Sequence, residues 1–496
     1  MLLTPGPTPV PEFARKAMSD ITIHHRTKEF EAIFERTRNL LIEIYNMPEV
    51  LMLASSGTGA MEACVTNFTR KKALTVNSGK FGERFGKICK AFNIDYTEIK
   101  NEWNTAVSVE DVINEIKNDS NIDAIFIQIC ESAGGLRHPV EEIAKEVKKI
   151  NPEIIVVADG ITALGVEKID VTNIDALITG SQKAFMLPPG LAMIGLSQKA
   201  VEKIEEKSAG YYFNLATELK NQRKNTTAWT AATTLIMGLE AILVELKKVG
   251  FDNLYSKTAL RAKATQEALK AIGFEIYPKT PANAMTTVYT EQSNEIRKIL
   301  KNKYNVDIAG GQDHLAGKIF RINHMGLVED FEASWAVNAI ELVMDELKNQ
   351  RKNTTAWTAA TTLIMGLEAI LVELKKVGFD NLYSKTALRA KATQEALKAI
   401  GFEIYPKTPA NAMTTVYTEQ SNEIRKLLKT KYSVDIAGGQ DHLAGKIFRI
   451  NHMGLVEDFE ASWAVNAIEL VMDDLNIRKF DGTANRVFAQ NMFKGI

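Results

Sequence analysis

Between residues 50 and 200, short apolar runs alternate with stretches whose apolar residues recur at helical spacing. The run 50–54 precedes a helix predicted near 58–69, and 73–76 precedes one near 81–92. The run 124–129 is followed by an amphipathic stretch at 140–149, and 154–158 and 176–178 complete the strand set. These runs are mostly β-branched or apolar. That pattern predicts a mostly parallel sheet covered on both faces, and hence an α/β fold. Further on, 234–249 has the spacing of a long helix. Strand-like runs at 274–277, 285–289 and 319–322 then mix with helices near 255–271, 293–303 and 329–346, which predicts a smaller α+β domain.

The pattern then repeats. ELKNQRKNTTAWTAATT begins at Glu218 and again at Glu346, an offset of 128 residues. Residues 218–345 and 346–473 differ at three places: Ile299/Leu427, Asn302/Thr430 and Asn305/Ser433. Repeat architectures have shorter periods and more drift, so this is not a solenoid. It reads as a tandem duplication of the C-terminal region, recent or arisen by joining, and one copy fewer leaves 368 residues. The expected organisation is an N-terminal segment with a large domain over 1–235 and a first small domain over 236–347. The segment 348–496 then holds the second small domain and a tail.

Composition narrows the function. The 496 residues carry 60 Lys+Arg against 61 Asp+Glu, which gives no electrostatic case for nucleic acid. Apolar runs such as 241–244 are far too short to span a bilayer. The start, MLLTPGPTPVP, lacks the basic region of a signal peptide. Cys64, Cys89 and Cys130 are too scattered for a disulfide framework or a metal site. A cytoplasmic, reducing setting without a metal is expected.

Three local features bear chemistry. In Ser55-Ser56-Gly57-Thr58-Gly59-Ala60 a glycine-rich turn opens a helix, where backbone N–H groups can cradle an anion. The spacing is neither the dinucleotide fingerprint nor the lysine-bearing P-loop, and an ordinary βα turn is the alternative. Val156–Asp159 is an apolar strand ending in a carboxylate, which either pairs with a ligand at the sheet edge or caps the next turn. Lys183 lies just past a strand, between Gly180-Ser181 and Pro188-Pro189-Gly190, on a stiff turn. A lone lysine is ordinarily a solvated surface group, but one so held can form a Schiff base if its pKa falls. Together the three supply what a pyridoxal 5′-phosphate site needs: a phosphate anchor, a partner for the ring nitrogen and a lysine.

With these motifs the sequence resembles the fold type I, class V pyridoxal-phosphate aminotransferases, in particular the alanine/serine–glyoxylate or –pyruvate enzymes. The resemblance runs the length of the 368-residue equivalent. It implies that Lys183 in GSQKAFMLPPG forms the Schiff base and carries the proton, and that Asp159 in VVADG keeps the ring nitrogen protonated. It assigns the phosphate to Thr58, Gly59 and Ala60, with Gln182 nearby. Phe81 would stack on the ring where several relatives have Trp, and Ser132 would lie near the phenolic oxygen. Arg321 in GKIFRINHMG, or its copy Arg449, would take the substrate carboxylate; Gly6 belongs to the entry loop TPGPTPVP beside it. His24, His25 and Arg26 line the pocket at most. Thr230, with Thr358 as its copy, would reach the partner's phosphate across a homodimer, although Ala228 and Ala231 stand where relatives often have proline.

The implied reaction is a ping-pong transfer of an amino group from alanine, serine or aspartate to a 2-oxo acid such as glyoxylate or pyruvate. Phosphoserine or broad aspartate transamination is the next enzymatic reading. A cysteine desulfurase needs a nucleophilic Cys in the C-terminal half, and none follows Cys130. The non-enzymatic alternative is a duplicated chain whose assembly, and with it activity, has been lost. Of the two arrangements the repeat allows, the one in which the first copy docks on the large domain is favoured, because the connection through Glu218 is unbroken.

Overall fold

The computed structural model describes residues 1–352 and 361–493. The chain divides into two units, Met1–Leu363 and Ile364–Ile496. The strands of the first unit are β1 (Glu49–Leu53), β2 (Lys72–Asn77), β3 (Tyr96–Lys100), β4 (Ile122–Gln128), β5 (Cys130–Glu131), β6 (Leu136–Arg137), β7 (Ile155–Asp159), β8 (Ala176–Gly180), β9 (Ala192–Leu196), β10 (Glu275–Ile276), β11 (Met285–Tyr289), β12 (Ala309–Gly310) and β13 (Ile319–Asn323). The second unit holds β14 (Glu403–Ile404), β15 (Met413–Tyr417), β16 (Ala437–Gly438) and β17 (Ile447–Asn451).

Seven strands form the central sheet in the order β1-β9-β8-β7-β4-β2-β3. β8, β7, β4, β2 and β3 pair in parallel, and β9 runs antiparallel to both neighbours. The expected α/β class and strand set are present, and the sheet is mixed. Successive residues of a strand point to opposite faces. Val156 and Ala158 enter one core with Phe30, Phe34, Leu41 and Leu243, whereas Ile155 and Val157 enter the other with Met61, Phe68 and Phe85. Two buried faces explain why the strands read as unbroken apolar runs. β3 and β9 lay outside the sequence reading. β3 is a half-exposed edge strand, and β9 is a short run that follows Pro188-Pro189-Gly190.

The helix Thr233–Val249 packs on Glu12–Met18 and Lys28–Tyr45, two helices the sequence reading did not single out. Beyond it lies an antiparallel sheet, β10-β11-β13-β12, backed by the helices Phe251–Ala271, Ser293–Tyr304 and Asp330–Lys352. Its core centres on Val288, Ile296, Leu300, Phe320 and Ile340. The chain start joins it, with Leu3 N–H donating to Asp307 O (2.8 Å) and Asn323 N–H donating to Leu3 O (2.9 Å).

In the second unit the sheet β14-β15-β17-β16 repeats the order and register of the first, Thr415 facing Arg449 as Thr287 faces Arg321. The tail is not a bare extension. Its helix, Thr483–Met492, packs on Phe379–Ala399 and Asp458–Asp474 and buries Ala484, Phe488 and Met492. Glu469, fully buried, accepts from Ala484 N–H (2.9 Å), Thr483 N–H (3.2 Å) and Arg478, which locks the helix start in place.

Candidate active site

Loops at the C-terminal ends of β2, β4, β7 and β8 converge, as parallel sheets dispose their ligand sites. β8 leads directly into the lysine turn. Ser181 Oγ donates to Pro188 O (2.6 Å), Leu187 N–H to Ser181 O (2.9 Å) and Met186 N–H to Lys183 O (2.9 Å). The entry loop grips this turn from outside, through Thr8 Oγ1 to Lys183 O (2.7 Å) and Thr8 N–H to Gln182 O (3.1 Å). Lys183 is buried, and its Nζ donates to Pro5 O. Gly6 sits at φ +112°, where a Cβ would come within 2.8 Å of Lys183 Nζ, so only glycine fits. Burial, helped by the charge of Arg321, lowers the Lys183 pKa to about 8.

Asp159 ends β7 and pairs in register with Gln128 of β4. One carboxylate oxygen caps the following turn by accepting Ile161 N–H (2.9 Å). Burial raises its pKa to about 6 against the pull of Arg84 and Lys183. The turn-capping and ligand-facing readings are thus compatible: one oxygen caps while the buried group still faces the lysine's charge.

The helix Gly57–Phe68 begins after Ser56, whose side chain makes no capping bond; Gly59 N–H donates to Ser56 O (2.9 Å), so it is the Gly57 and Thr58 amides that this uncapped start offers to an anion. A Cβ on Gly57 would meet Ile161 at 2.5 Å, and one on Gly59 would meet Ser55 Oγ at 2.0 Å. The half-buried Thr58 accepts from Arg84 Nη1 (2.8 Å), and Ala60 is buried in the second core. Gln182 is half-buried, its Oε1 enclosed without a partner.

Phe81 precedes the helix Gly82–Ala91, and the Arg84 guanidinium lies 4.8 Å from its ring centroid. The loop is fixed by a residue the sequence reading passed over. Glu131, fully buried, accepts from Phe81 N–H (3.0 Å), Gly82 N–H (2.8 Å) and Ala133 N–H (2.9 Å). Burial lifts its pKa to about 7, and these three bonds oppose the rise. Gln128 is buried with both amide atoms unpartnered, a second polar group that no local motif marks.

Arg321, buried on β13, reaches the large domain. Its Nη1 donates to Ser132 O (2.6 Å), while Nε and Nη2 both donate to Gly310 O (3.1 and 2.6 Å). Ser132 thus meets Arg321 through its carbonyl. Desolvation brings the Arg321 pKa down to about 10. Among the described residues Arg449 keeps only the bond to Gly438 O (3.0 Å), and it is half-buried.

Thr230 and the His24–Arg26 loop stand apart. Thr230 is exposed, beside Trp229 and Tyr212, and Thr358 lies outside the described residues. His24, His25 and Arg26 form a largely exposed loop, with the two imidazoles 4.7 Å apart. Among the described residues no group of His, Cys, Asp and Glu could hold a metal, and no helix is long and apolar enough to cross a membrane.

Residues 11–325 match the family model for class V aminotransferases. A Helicobacter pylori protein named as an uncharacterized aminotransferase is 49% identical over 348 residues, 70% of this chain and 94% of its own. The serine–glyoxylate aminotransferase of Hyphomicrobium methylovorum is 28% identical over 70% of this chain and 89% of its own. Among solved structures, an aspartate aminotransferase of subgroup IV from Thermus thermophilus superposes with a TM-score of 0.65 at 31% identity, covering 70% of this chain and 99% of its own.

Proposed function

The chain belongs to the class V aminotransferases, pyridoxal phosphate enzymes, and from that premise we propose that it moves an amino group from a small amino acid to a 2-oxo acid such as glyoxylate or pyruvate. One observation carries this reading. Lys183 is buried, has a pKa near 8, and lies within electrostatic reach of Asp159 and Arg321. The residues fit the cofactor: an uncapped helix start for the phosphate, an aromatic face at Phe81, and a buried amide at Gln128 whose donor and acceptor both lack protein partners. When bound, the cofactor supplies the carbonyl that captures an amine and a ring that accepts electrons released at Cα.

The protein's part is positioning and proton transfer. Lys183 Nζ holds the cofactor and then moves the proton off the substrate Cα, a task suited to an amine with a pKa near 8. Asp159 would partner the ring nitrogen, and Thr58, Gly59, Ala60 and Gln182 would hold the phosphate. Phe81 would stack on the ring, and Ser132 would lie near its phenolic oxygen. Arg321 presents a planar fork to the substrate carboxylate, with Gly6 beside it. A single substrate-facing arginine favours donors with small neutral side chains, alanine or serine, over aspartate or phosphoserine. The relative named for serine and glyoxylate agrees with that choice, and the aspartate aminotransferase structure, at 31% identity, makes aspartate the donor to test against it.

We further propose that the small domain occurs twice and that the first copy serves the site. In support, relatives cover 94% of their own length with only 70% of this chain. The enzyme would act in the cytoplasm as a homodimer, with Thr230 reaching the partner's phosphate. Visible absorbance after adding pyridoxal phosphate tests the reading. A bound band that bleaches with alanine or serine is expected. No band, or a Lys183→Ala variant with full turnover, overturns it.

A further inference from the structure

We propose that Arg84 is the cationic member of the phosphate seat, which the motif reading left to backbone amides, a hydroxyl and an amide side chain. The inference rests on the proposed cofactor site and adds a residue to it. Arg84 lies in the first turn of Gly82–Ala91, three residues after Phe81, a spacing that puts both on one helix face. Its guanidinium bridges two parts of the site that separate segments supply. Nη1 donates to Thr58 Oγ1 (2.8 Å) at the start of Gly57–Phe68, and Cζ lies 4.8 Å from the Phe81 ring centroid. The two contacts fix the guanidinium plane while committing one hydrogen bond among five N–H donors.

A bound phosphate monoester carries between one and two negative charges near neutral pH. Helix-terminal amides offer about half a positive charge. The remaining charge needs a cation, and Lys183 is committed to the cofactor's other end. Arg84 stands where a planar fork can meet phosphate oxygens in pairs. It is also a charge that Asp159 feels, so one side chain ties the ring-nitrogen partner to the phosphate anchor.

The test compares cofactor capture by apo-enzyme with and without the phosphate group. Wild type, Arg84→Lys and Arg84→Gln are titrated with pyridoxal phosphate and with pyridoxal, read by absorbance of the bound carbonyl compound. The expected result is a roughly ten- to hundredfold loss of pyridoxal phosphate affinity in Arg84→Gln, with partial recovery in Arg84→Lys. Pyridoxal affinity should be unchanged in all three. Equal losses for both ligands overturn the proposal in favour of a packing role on Phe81. Tighter pyridoxal phosphate binding in Arg84→Gln overturns it in favour of a guanidinium that merely fills the seat. If wild type itself captures neither compound, the function proposed above fails, and the Arg84 comparison then has nothing to explain.

Discussion

The two copies of the repeated segment differ at three positions, yet each keeps a different one of its neighbours. In the first copy, Leu239, Ile242 and Leu243 are fully buried against the helices at the chain start; their counterparts Leu367, Ile370 and Leu371 are about half exposed. Met325 is 1% exposed and Met453 52%. The tail reverses the balance. It packs on Phe379–Ala399, where Ala392 is buried, whereas the matching Ala264 is exposed and Leu260 stands 69% open. Phe320 and Phe448, Leu300 and Leu428, Ile296 and Ile424 are fully buried in both copies. The inner core is therefore intrinsic to the sequence, and the outer faces are set by whichever neighbour is present. Identical residues at matched positions carry different environments, so function cannot be read from the repeat alone.

The sharpest way to break this comparison is at the paired arginines. Arg321→Ala should lower kcat/KM by roughly 10²–10³-fold, because a carboxylate would lose a charged, buried partner. Arg449→Ala should leave turnover near wild type. The reverse outcome in steady-state kinetics would move the site to the second copy.

Next in size is the tail. Phe488→Ala empties a fully buried site in the second unit, at a cost of about 3–5 kcal/mol. Calorimetry should show a transition of that unit moving down while turnover is retained. Loss of activity in step with that transition would mean the site depends on the tail.

A smaller effect concerns pH. Capture of a carbonyl needs the neutral amine, so the rate for apo-enzyme should rise with pH and level off above about 8, the Lys183 pKa. Arg321 contributes to that depression, so Arg321→Ala should shift the midpoint upward, and Arg449→Ala should not. A midpoint unmoved by either substitution would remove Arg321 from the lysine's surroundings.

The smallest effect lies at a helix end. Asn305 and Ser433 occupy matched left-handed positions, φ 54° and 57°. Asparagine tolerates that conformation better than serine. Ser433→Asn should raise the second unit's stability by a few tenths of a kcal/mol, and Asn305→Ser should lower the first by as much. A change of opposite sign in denaturant melts would show that other contacts of these side chains decide the matter.

Much of this was legible in the sequence, for a definite reason. β7 and β8 are buried on both faces, so their apolar runs announce the strands, and Asp159 and Lys183 stand out as charges at their ends. Gly6 and Arg321 sit in motifs whose flanks mark them. Glu131 gave no such signal, because two of the three backbone N–H groups it accepts, those of Phe81 and Gly82, lie some fifty positions earlier in the chain. Arg84 did leave one, the three-residue spacing from Phe81, but nothing local reveals that Thr58 is its partner. β3 stayed hidden because an edge strand with exposed Tyr96 carries a weak apolar pattern.

The entry loop has a consequence in time rather than space. Met1–Leu3 pair with Asn305, Asp307 and Asn323, some three hundred positions away, and the same strand of chain then presses Gly6 against Lys183. During synthesis these first residues leave the ribosome early and must wait for almost the whole first unit before they find their places. Every strand of the central sheet can pair before that moment. The lysine's chamber is therefore among the last parts of the molecule to be walled in, after the sheet that carries it already exists.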